Sequence, residues 1–203
     1  LSVEGAVFDI TNESHIAGYF SKVSKLNILV NNAYQGGSGS IELSDLQDYR
    51  NSYEVSLISV VSLFKAALPA LHESVLNEGD ASVINIASMY GVVSPDPSIY
   101  EESGFNSLPN YGASKAAVIQ YTKYLACHLA KKRIRVNAVS PGPFPKEEVQ
   151  KNVEFMNQLK KKVPMGRIGL PDELKGVIIF LASNASSYIT GENIIVDGGW
   201  TSW

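Results

Sequence analysis

Cysteine is almost absent from this sequence, because Cys127 is the only one among its 203 residues. A single cysteine excludes an intramolecular disulfide, which favours a reducing compartment such as the cytoplasm. Cys127 lies in a helical pattern, where a small core residue is the expected role. The three histidines, His15, His72 and His128, fall in separate helical patterns without ligand spacing, so no metal site is predicted.

The sequence also lacks an excess of either charge, since 17 basic and 20 acidic residues leave a formal net charge of −3. This balance gives no support to a nucleic-acid partner. One cluster of cations, within residues 131–135, is interpreted as the C-terminal end of a helix, where positive charge is favourable. No apolar run approaches membrane-spanning length and no signal peptide opens the chain, so no membrane partner is predicted.

Composition and length are those of one globular domain, residues 1–203, with 45% hydrophobic and 18% charged residues. Short apolar runs rich in β-branched residues predict strands, and the longer periodic stretches between them predict helices. The predicted strands are 26–30, 82–86, 134–139 and 193–197. The predicted helices are 12–24, 44–73, 110–131, 147–162 and 171–183. This alternation predicts an α/β fold with a doubly wound parallel sheet covered on both faces.

In open parallel sheets, ligands bind beyond the carboxyl ends of the strands. The first predicted strand is followed by Asn31 and Asn32, the second by Ser88 and the third by Pro141. A helix that begins near residue 110 would bring Tyr111 to the same rim. The sequence therefore predicts one site built from several strand ends.

Tyr111 and Lys115 are the most informative pair, because only this tyrosine of the ten has a lysine four residues later. That spacing puts a phenol and an ammonium group on one helix face. A phenol titrates near pH ~10, and a nearby cation favours the phenolate. The pair is therefore suited to moving a proton on or off an alcohol or carbonyl oxygen.

With these motifs in place, the chain resembles the short-chain dehydrogenase/reductase family, of the compact single-domain type. The resemblance implies a Rossmann-like fold, and its blocks cover nearly the whole chain in order. They are Asp9-Ile-Thr11, Asn31-Asn-Ala33, Asn85-Ile-Ala-Ser88, Tyr111-Gly-Ala-Ser-Lys115, Arg135-Val-Asn137, Ser140-Pro-Gly142, Gly166-Arg-Ile-Gly-Leu-Pro171 and Val196-Asp-Gly-Gly199.

The resemblance implies a role for each matching residue. Ser88 would hydrogen-bond the substrate oxygen, Tyr111 would exchange the proton, and Lys115 would lower the tyrosine pKa and hold the ribose of NAD or NADP. The position of the family's catalytic asparagine falls on Ser56, whose hydroxyl can still donate and accept. By the same resemblance, Asp9 and Ile10 would touch the adenine of the cofactor and Asn32 and Ala33 its adenosine side. Val55 would lie beneath the cofactor, and the nicotinamide end would be contacted by Tyr111, Lys115, Pro141, Gly142 and Phe144.

The chain departs from the family at its beginning. Asp9 resembles the acid after the family's third strand, so the first two βα units, roughly 60 residues at about 30 each, have no counterpart among these residues. Those units carry the glycine-rich pyrophosphate turn and the residue that selects NAD or NADP. Residues 34–40 are glycine-rich but lack the third glycine of the fingerprint, and a flexible loop is expected there.

Two further departures lie near the predicted site. Tyr34 stands where the family has glycine, and its ring is expected either to line the adenosine side or to narrow it. The stretch between Ser88 and Tyr111 is longer than usual, so Glu101 and Glu102 either meet the substrate or belong to a solvated acidic loop.

These features predict an NAD(P)-dependent oxidoreductase that interconverts a secondary alcohol and a ketone, with a sugar, polyol or oxoacyl substrate. The alternative is a catalytically idle relative that serves as a binding or assembly subunit. An epimerase or dehydratase of the extended branch shares Tyr-x-x-x-Lys, but the short C-terminal region leaves no room for its substrate domain. The resemblance also implies a cytoplasmic homo-oligomer, a tetramer or dimer, joined through the two long helices and the last strand.

Overall fold

The sheet is entirely parallel. A computed structural model of the chain describes residues 3–35, 39–100 and 106–203. Within these ranges the strands are β1 (Ile28–Asn31), β2 (Ala81–Ile86), β3 (Ile134–Pro141) and β4 (Asn193–Val196). They are hydrogen-bonded in the order β1-β2-β3-β4, and each neighbouring pair is parallel. The predicted α/β fold with a parallel sheet is confirmed.

Helices connect the strands, as predicted, but three of the predicted helices are not continuous α-helices, and the one at 171–183 begins as the 3₁₀ turn Pro171–Leu174. The α-helices are α1 (Glu13–Phe20), α2 (Leu46–Tyr53), α3 (Ser59–Glu78), α4 (Pro109–Leu129), α5 (Glu147–Gln150), α6 (Val153–Lys162) and α7 (Lys175–Ala182). A π-helical segment, Glu54–Ile58, joins α2 to α3. The predicted helix 147–162 is interrupted at Asn152, whose side chain accepts a hydrogen bond from the backbone of Phe155 at 3.0 Å and so starts α6.

Helices cover the sheet on two faces. Side chains of α3 and α4 form the largest core cluster with alternate residues of β2 and β3. Its buried members include Phe64, Leu71, Val83, Leu125, Leu129, Ile134 and Val136. On the other face, Leu181 of α7 packs against Ile84 and Val139. Successive residues of each strand point to opposite faces of the sheet, because the side-chain period of a strand is two. Since helices pack on both of these faces, the sheet is doubly wound.

The β1 end of the sheet is less covered. Within the described ranges, β1 pairs with β2 alone, and Ile28 and Val30 are each 42% exposed. Residues 3–9 form no helix or strand, so Asp9 does not follow a strand here, contrary to the expectation from the family pattern. A β-strand needs a neighbouring strand to satisfy its backbone hydrogen bonds, and residues 3–9 have no such neighbour among the described strands.

One expectation about hydrophobic runs is wrong. The helical stretch Leu46–Glu78 is long and apolar enough to cross a membrane, by length and composition alone. Phe64, Ala67 and Leu71 within it are at most 4% exposed and belong to the core cluster on the sheet. A helix that buries one face in a core has the same apolar composition, and this packing accounts for it.

Two predicted roles are wrong. Cys127 is exposed and not a core residue, because Leu125, Ala126 and Leu129 take the core-facing positions of α4. Arg135 lies in β3, within the predicted strand 134–139, and is buried there, so it is not one of the cations at the helix end. The interpretation of the cation cluster holds only for the lysines that end the helix, in the short 3₁₀ turn Ala130–Lys132.

Arg135 satisfies several groups beneath α7. Its Nη2 lies 3.0 Å from Asp80 Oδ2, and its Nη1 donates to the carbonyl oxygen of Leu181 at 3.0 Å and to Ser186 Oγ at 2.8 Å. The side chain therefore connects β3 to Asp80, the residue just before β2, and to the C-terminal end of α7. Removal of one partner from such a network leaves the others desolvated and unpaired.

We expect Arg135→Met to lower the free energy of unfolding by about 3 kcal/mol, because the buried carbonyl and Asp80 lose their donor. Urea denaturation of the purified protein measures this loss. Lys25→Met is the matched control, since it breaks the Lys25–Glu78 ion pair, whose side chains are 43% and 50% exposed. The control should cost less than about 1 kcal/mol, and equal losses in the two variants would contradict this account.

Candidate active site

Ser88 lies just beyond the carboxyl end of β2. Its side chain accepts a hydrogen bond from the backbone of Tyr90 at 3.2 Å and so caps the short 3₁₀ turn Met89–Gly91. It is 6% exposed and lies near enough to the phenol of Tyr111 to lower the pKa of that group. The structure therefore brings Ser88 and Tyr111 together at the rim where the sequence placed them.

Lys115 is fixed by the same strand end. It follows Tyr111 by one turn of α4, and its Nζ donates to the carbonyl oxygen of Ile86, the last residue of β2, at 2.8 Å. Nζ also lies 5.9 Å from the centre of the Tyr111 ring. Ser88, Tyr111 and Lys115 thus form one constellation, in which the strand end holds the lysine directly.

Two glycines that the sequence analysis overlooked make this arrangement possible. A Cβ atom on Gly91 would lie 2.8 Å from the backbone carbon of Lys115, and one on Gly112 would lie 2.6 Å from the carbonyl oxygen of Tyr90. The turn after Ser88 can therefore pack against the backbone of α4 only without side chains at these positions. The sequence did contain a signal for Gly112. Glycine within a helix lowers the stability of the helix by about 1 kcal/mol relative to alanine, so its presence there indicates a close packing contact.

Burial sets the protonation of the pair. It raises the pKa of Tyr111, an effect that the hydrogen bond from Ser88 opposes and the nearby Tyr34 reinforces. Burial also lowers the pKa of Lys115 to about 8. The expectation that Lys115 lowers the pKa of Tyr111 is not met in this structure, because desolvation disfavours both charged forms and the ammonium group is directed at Ile86.

Tyr34 packs on Tyr111 and Lys115. Its ring meets the Tyr111 ring edge-on with centres 5.9 Å apart, and the Nζ atoms of Lys115 and Lys146 each lie 5.9 Å from its centre. It lines a pocket of about 510 Å³ that we call the tyrosine pocket. The described lining of this pocket is Tyr34, Tyr90, Tyr100, Asn106, Ser107, Leu108, Tyr111, Phe144, Pro145, Lys146 and Val149. Tyr34 therefore lies beside Tyr111 and not, as predicted, on the side of the residues expected at the adenosine, Ile10, Asn32 and Ala33.

The residues predicted for the adenosine part lie in a second opening. Ile10, Asn32 and Ala33 line a cleft of about 370 Å³, the asparagine cleft, together with apolar side chains of α3. Asn31 also lines it, and its Oδ1 is buried with no hydrogen-bond partner in the part of the chain that the structure describes. The walls of the cleft are mainly apolar, with Asn32 at the strand end, and a flat aromatic base suits such walls, so these residues fit that part of a dinucleotide.

Asp9 and Val55 are not part of this cleft. The carboxylate of Asp9 is exposed and accepts hydrogen bonds from the backbone and the hydroxyl of Thr11, each at 2.8 Å. The backbone bond is the main cause that lowers the pKa of Asp9. Val55 is half-buried in the π-helical segment and lines neither opening.

Ser56 occupies the middle of the same π-helical segment. It is 2% exposed, and its Oγ has no hydrogen-bond partner among the described residues. A π-helical turn is rare and is frequent at functional sites. A buried hydroxyl without a partner is costly unless a ligand or water uses it, so Ser56 keeps its place among the candidate residues.

The loop after β3 contributes one of its three predicted residues. Phe144 lines the tyrosine pocket. Gly142 instead packs against Asp197, because a Cβ atom there would lie 2.5 Å from the Asp197 Cα, and Pro141 is the last residue of β3. Neither of these two lines the tyrosine pocket or the asparagine cleft. Glu101 and Glu102 lie outside the described residues, as does the middle of the glycine-rich segment, residues 36–38.

We expect Gly112→Ala to destabilise the protein by about 1–3 kcal/mol, because the new methyl group would overlap the carbonyl oxygen of Tyr90. Gly176→Ala is the control, since a Cβ atom on this helical glycine meets nothing within 4 Å. Alanine there should leave stability unchanged or raise it by up to about 1 kcal/mol. Thermal unfolding of the two variants measures the difference, and a stable Gly112→Ala protein would refute the close approach.

The lowered pKa of Lys115 predicts a pH dependence of stability. From about pH 8 to the ordinary value of 10.5, the unfolded chain keeps a proton on this lysine that the folded chain has released. Stability therefore rises with pH in this window, by about 1 kcal/mol per pH unit, relative to Lys115→Met. Below about pH 8 the difference between the two proteins should be constant. Urea titrations at several pH values test this, and a difference that is flat up to pH ~10 would contradict it.

Comparison with known proteins gives one consistent answer. The sequence model of the family described as enoyl-(acyl carrier protein) reductase matches residues 2–201. An uncharacterized short-chain type dehydrogenase/reductase of Sinorhizobium fredii is 32% identical over 98% of this chain, and a tropinone reductase homologue of Arabidopsis thaliana is 37% identical over 87% of it. A 2-dehydro-3-deoxy-D-gluconate 5-dehydrogenase of Dickeya dadantii is 34% identical over 89%. The chain spans 35%, 61% and 67% of these three relatives.

Solved structures agree with the sequence relatives. A short-chain dehydrogenase from Leptospira borgpetersenii with bound NAD⁺ has a TM-score of 0.85 and 32% identity, over 96% of this chain and 74% of that one. A gluconate 5-dehydrogenase from Burkholderia cenocepacia, in complex with NADP and tartrate, has a TM-score of 0.84 and 29% identity, over 98% and 75%. These matches confirm the Rossmann-like fold. The chain belongs to the short-chain dehydrogenase/reductase family.

Proposed function

We propose that this protein is an NAD(P)-dependent oxidoreductase that interconverts a secondary alcohol and a ketone. The observation that carries the proposal is the convergence of Ser88, Tyr111 and Lys115 at one rim of the sheet, where Tyr111 lines a pocket of about 510 Å³. The relatives support it, because their names describe dehydrogenases and reductases and two solved neighbours hold NAD⁺ or NADP. A sugar-derived substrate is supported by the gluconate-type relative, and an oxoacyl substrate by relatives named 3-oxoacyl-[acyl-carrier-protein] reductase.

The chemistry assigns each side chain a step. Oxidation of an alcohol removes a hydride from carbon and a proton from oxygen, and the nicotinamide supplies the acceptor for the hydride when it is bound. Tyr111 takes the proton, and Ser88 hydrogen-bonds the same oxygen and shares the charge that develops on it. Lys115, with a pKa of about 8, is mainly protonated at neutral pH and places a positive charge beside the phenol.

Cofactor contacts follow from the two openings. Ile10, Asn32 and Ala33 would hold the adenosine part in the asparagine cleft, and Lys115 and Phe144 would lie at the nicotinamide end. Ser56, buried and without a partner among the residues described, would hold a water that extends the proton path away from Lys115.

A cytoplasmic homo-oligomer remains part of the proposal. The lone cysteine supports a reducing compartment. Exposed apolar side chains support self-association, because Ile179 of α7 is 66% exposed, Tyr124 of α4 is 62% exposed and Trp203 at the C-terminus is 77% exposed.

The test compares two tyrosines of α4. Tyr111→Phe should lower turnover of secondary alcohols by about 10²–10⁴-fold, because it removes the proton acceptor while the ring stays in place. Tyr124→Phe, an exposed position on the same helix, should leave turnover unchanged. The measurement is the formation of reduced nicotinamide from NAD⁺ and from NADP⁺ with a panel of sugars, polyols and hydroxyacyl esters.

Two outcomes would contradict the proposal. Full turnover by Tyr111→Phe would remove this residue from the reaction. Absence of turnover by the unmodified protein across the panel, together with a biological role that survives Tyr111→Phe, would favour the alternative of a binding or assembly subunit.

A further inference from the structure

The tyrosine pocket is polar beside its catalytic corner. In addition to Tyr111, its described lining carries the phenols of Tyr34, Tyr90 and Tyr100. An amide and a hydroxyl group, from Asn106 and Ser107, lie along the same wall. Phenols, amides and hydroxyls donate and accept hydrogen bonds, so this lining matches a ligand with several hydroxyl groups better than one with an acyl chain.

Lys146 gives the pocket a positive charge. It is the one charged side chain in the described lining, which contains no carboxylate. Among the described residues no ion pair involves Lys146, and its Nζ rests 5.9 Å from the centre of the Tyr34 ring. A cation–π contact of this kind holds an ammonium group in position without using most of its N–H donors. Its N–H groups therefore stay available to an anionic ligand.

Two further features favour an anion that carries hydroxyl groups. The Nζ atom of Lys115 also lies 5.9 Å from the centre of the Tyr34 ring and adds positive potential at the catalytic corner. The hydroxyls of Tyr90 and Tyr100 are hydrogen-bonded to each other at 2.9 Å, and burial raises the pKa of both, so both stay protonated at neutral pH. Protonated phenols donate to alcohol or carboxylate oxygens and do not repel them.

We propose that the substrate is a hydroxylated carboxylic acid, whose carboxylate binds Lys146 while its hydroxyls meet the phenols of Tyr90 and Tyr100. Lys146 is then the residue that selects acids over neutral polyols and over oxoacyl esters. The inference rests on the proposed function, because it takes the carbon next to Tyr111 as the reacting one. The ammonium group of Lys146 would attract the carboxylate of an acid, whereas a neutral analogue offers no charge for it to attract.

The test uses ligands that differ by one group. D-gluconate and D-glucitol have the same carbon chain, but only the first carries a carboxylate, and methyl 3-oxobutanoate represents the neutral oxoacyl class. Calorimetric binding to the protein is the first readout, and turnover with NAD⁺ and NADP⁺ is the second. We expect gluconate to bind at least about 10-fold more tightly than either neutral compound, with a preference that weakens as salt is added.

Variants locate the preference. Lys146→Met keeps the length of the side chain and should remove the preference for gluconate, about 10-fold or more, without a change in glucitol binding. Lys146→Arg should keep most of it, because the charge remains. Lys151→Met is the matched control, since Lys151 is exposed, lies five residues further along the chain and does not line the pocket.

The outcomes separate this inference from the proposed function. Equal binding of gluconate and glucitol, binding of neither, tighter binding of the oxoacyl ester, or an unchanged preference in Lys146→Met would overturn the assignment of Lys146. Turnover of a neutral alcohol in that case would leave the oxidoreductase proposal standing. Gluconate binding that depends on Lys146, without turnover of any compound, would support the acid site and count against the oxidoreductase.

Discussion

The hydrogen bond from Lys115 Nζ to the carbonyl oxygen of Ile86 joins the two parts of the molecule on which the site depends. One is the carboxyl end of β2, a central strand with neighbours on both sides, and the other is the first part of α4. The contact fixes how far the helix lies from the strand end. The mutual position of Ser88 and Tyr111 follows from it, because one follows the strand and the other precedes the lysine by one turn.

The same contact explains why Lys115 and Tyr111 are partly shielded from water. A lysine held against a backbone carbonyl beneath the helix is withdrawn from water, and the phenol beside it is withdrawn as well. Desolvation then acts on both groups in the direction of neutrality. The positive charge that remains near neutral pH works in a medium where charges interact more strongly than in water. A substrate oxygen bound here would therefore interact with both the ammonium group of Lys115 and the phenol of Tyr111 at short range.

Much of this arrangement could be predicted from the sequence. Strand positions followed from β-branched apolar runs, and the shared rim followed from the rule that parallel strands present their carboxyl ends on one side. The positions of Gly91 and Gly112 could not be predicted as contacts, because a close backbone approach depends on the crossing of two elements distant in sequence. The exposure of Cys127 and the burial of Arg135 were missed for a similar reason, since local pattern does not fix which helix face or which strand neighbour covers a residue.

The structural effects of the departures from the family pattern could not be predicted from the sequence. Tyr34 was identified as unusual, but its place beside Tyr111 and Lys146 depends on the path of the chain after β1. Breaks in helices were the least predictable feature, because Asn152 and the π-helical turn do not disturb the apolar period enough to be read from one sequence.

The π-helical turn has a consequence for how this region can change in evolution. It holds one residue more than an α-helix would, and the backbone N–H of Ser59 accordingly reaches back to the carbonyl of Glu54. Because the turn itself takes up this extra residue, loss of one residue from Glu54–Ile58 would return the segment to α-helical geometry with α2 and α3 still in phase. Ser52 would then keep its contact with Ser114 on α4, whose hydroxyl it now meets at 3.1 Å. The bulge around Ser56 would be lost, so the length of this turn is set by the buried hydroxyl that it carries and not by the helix on the other side.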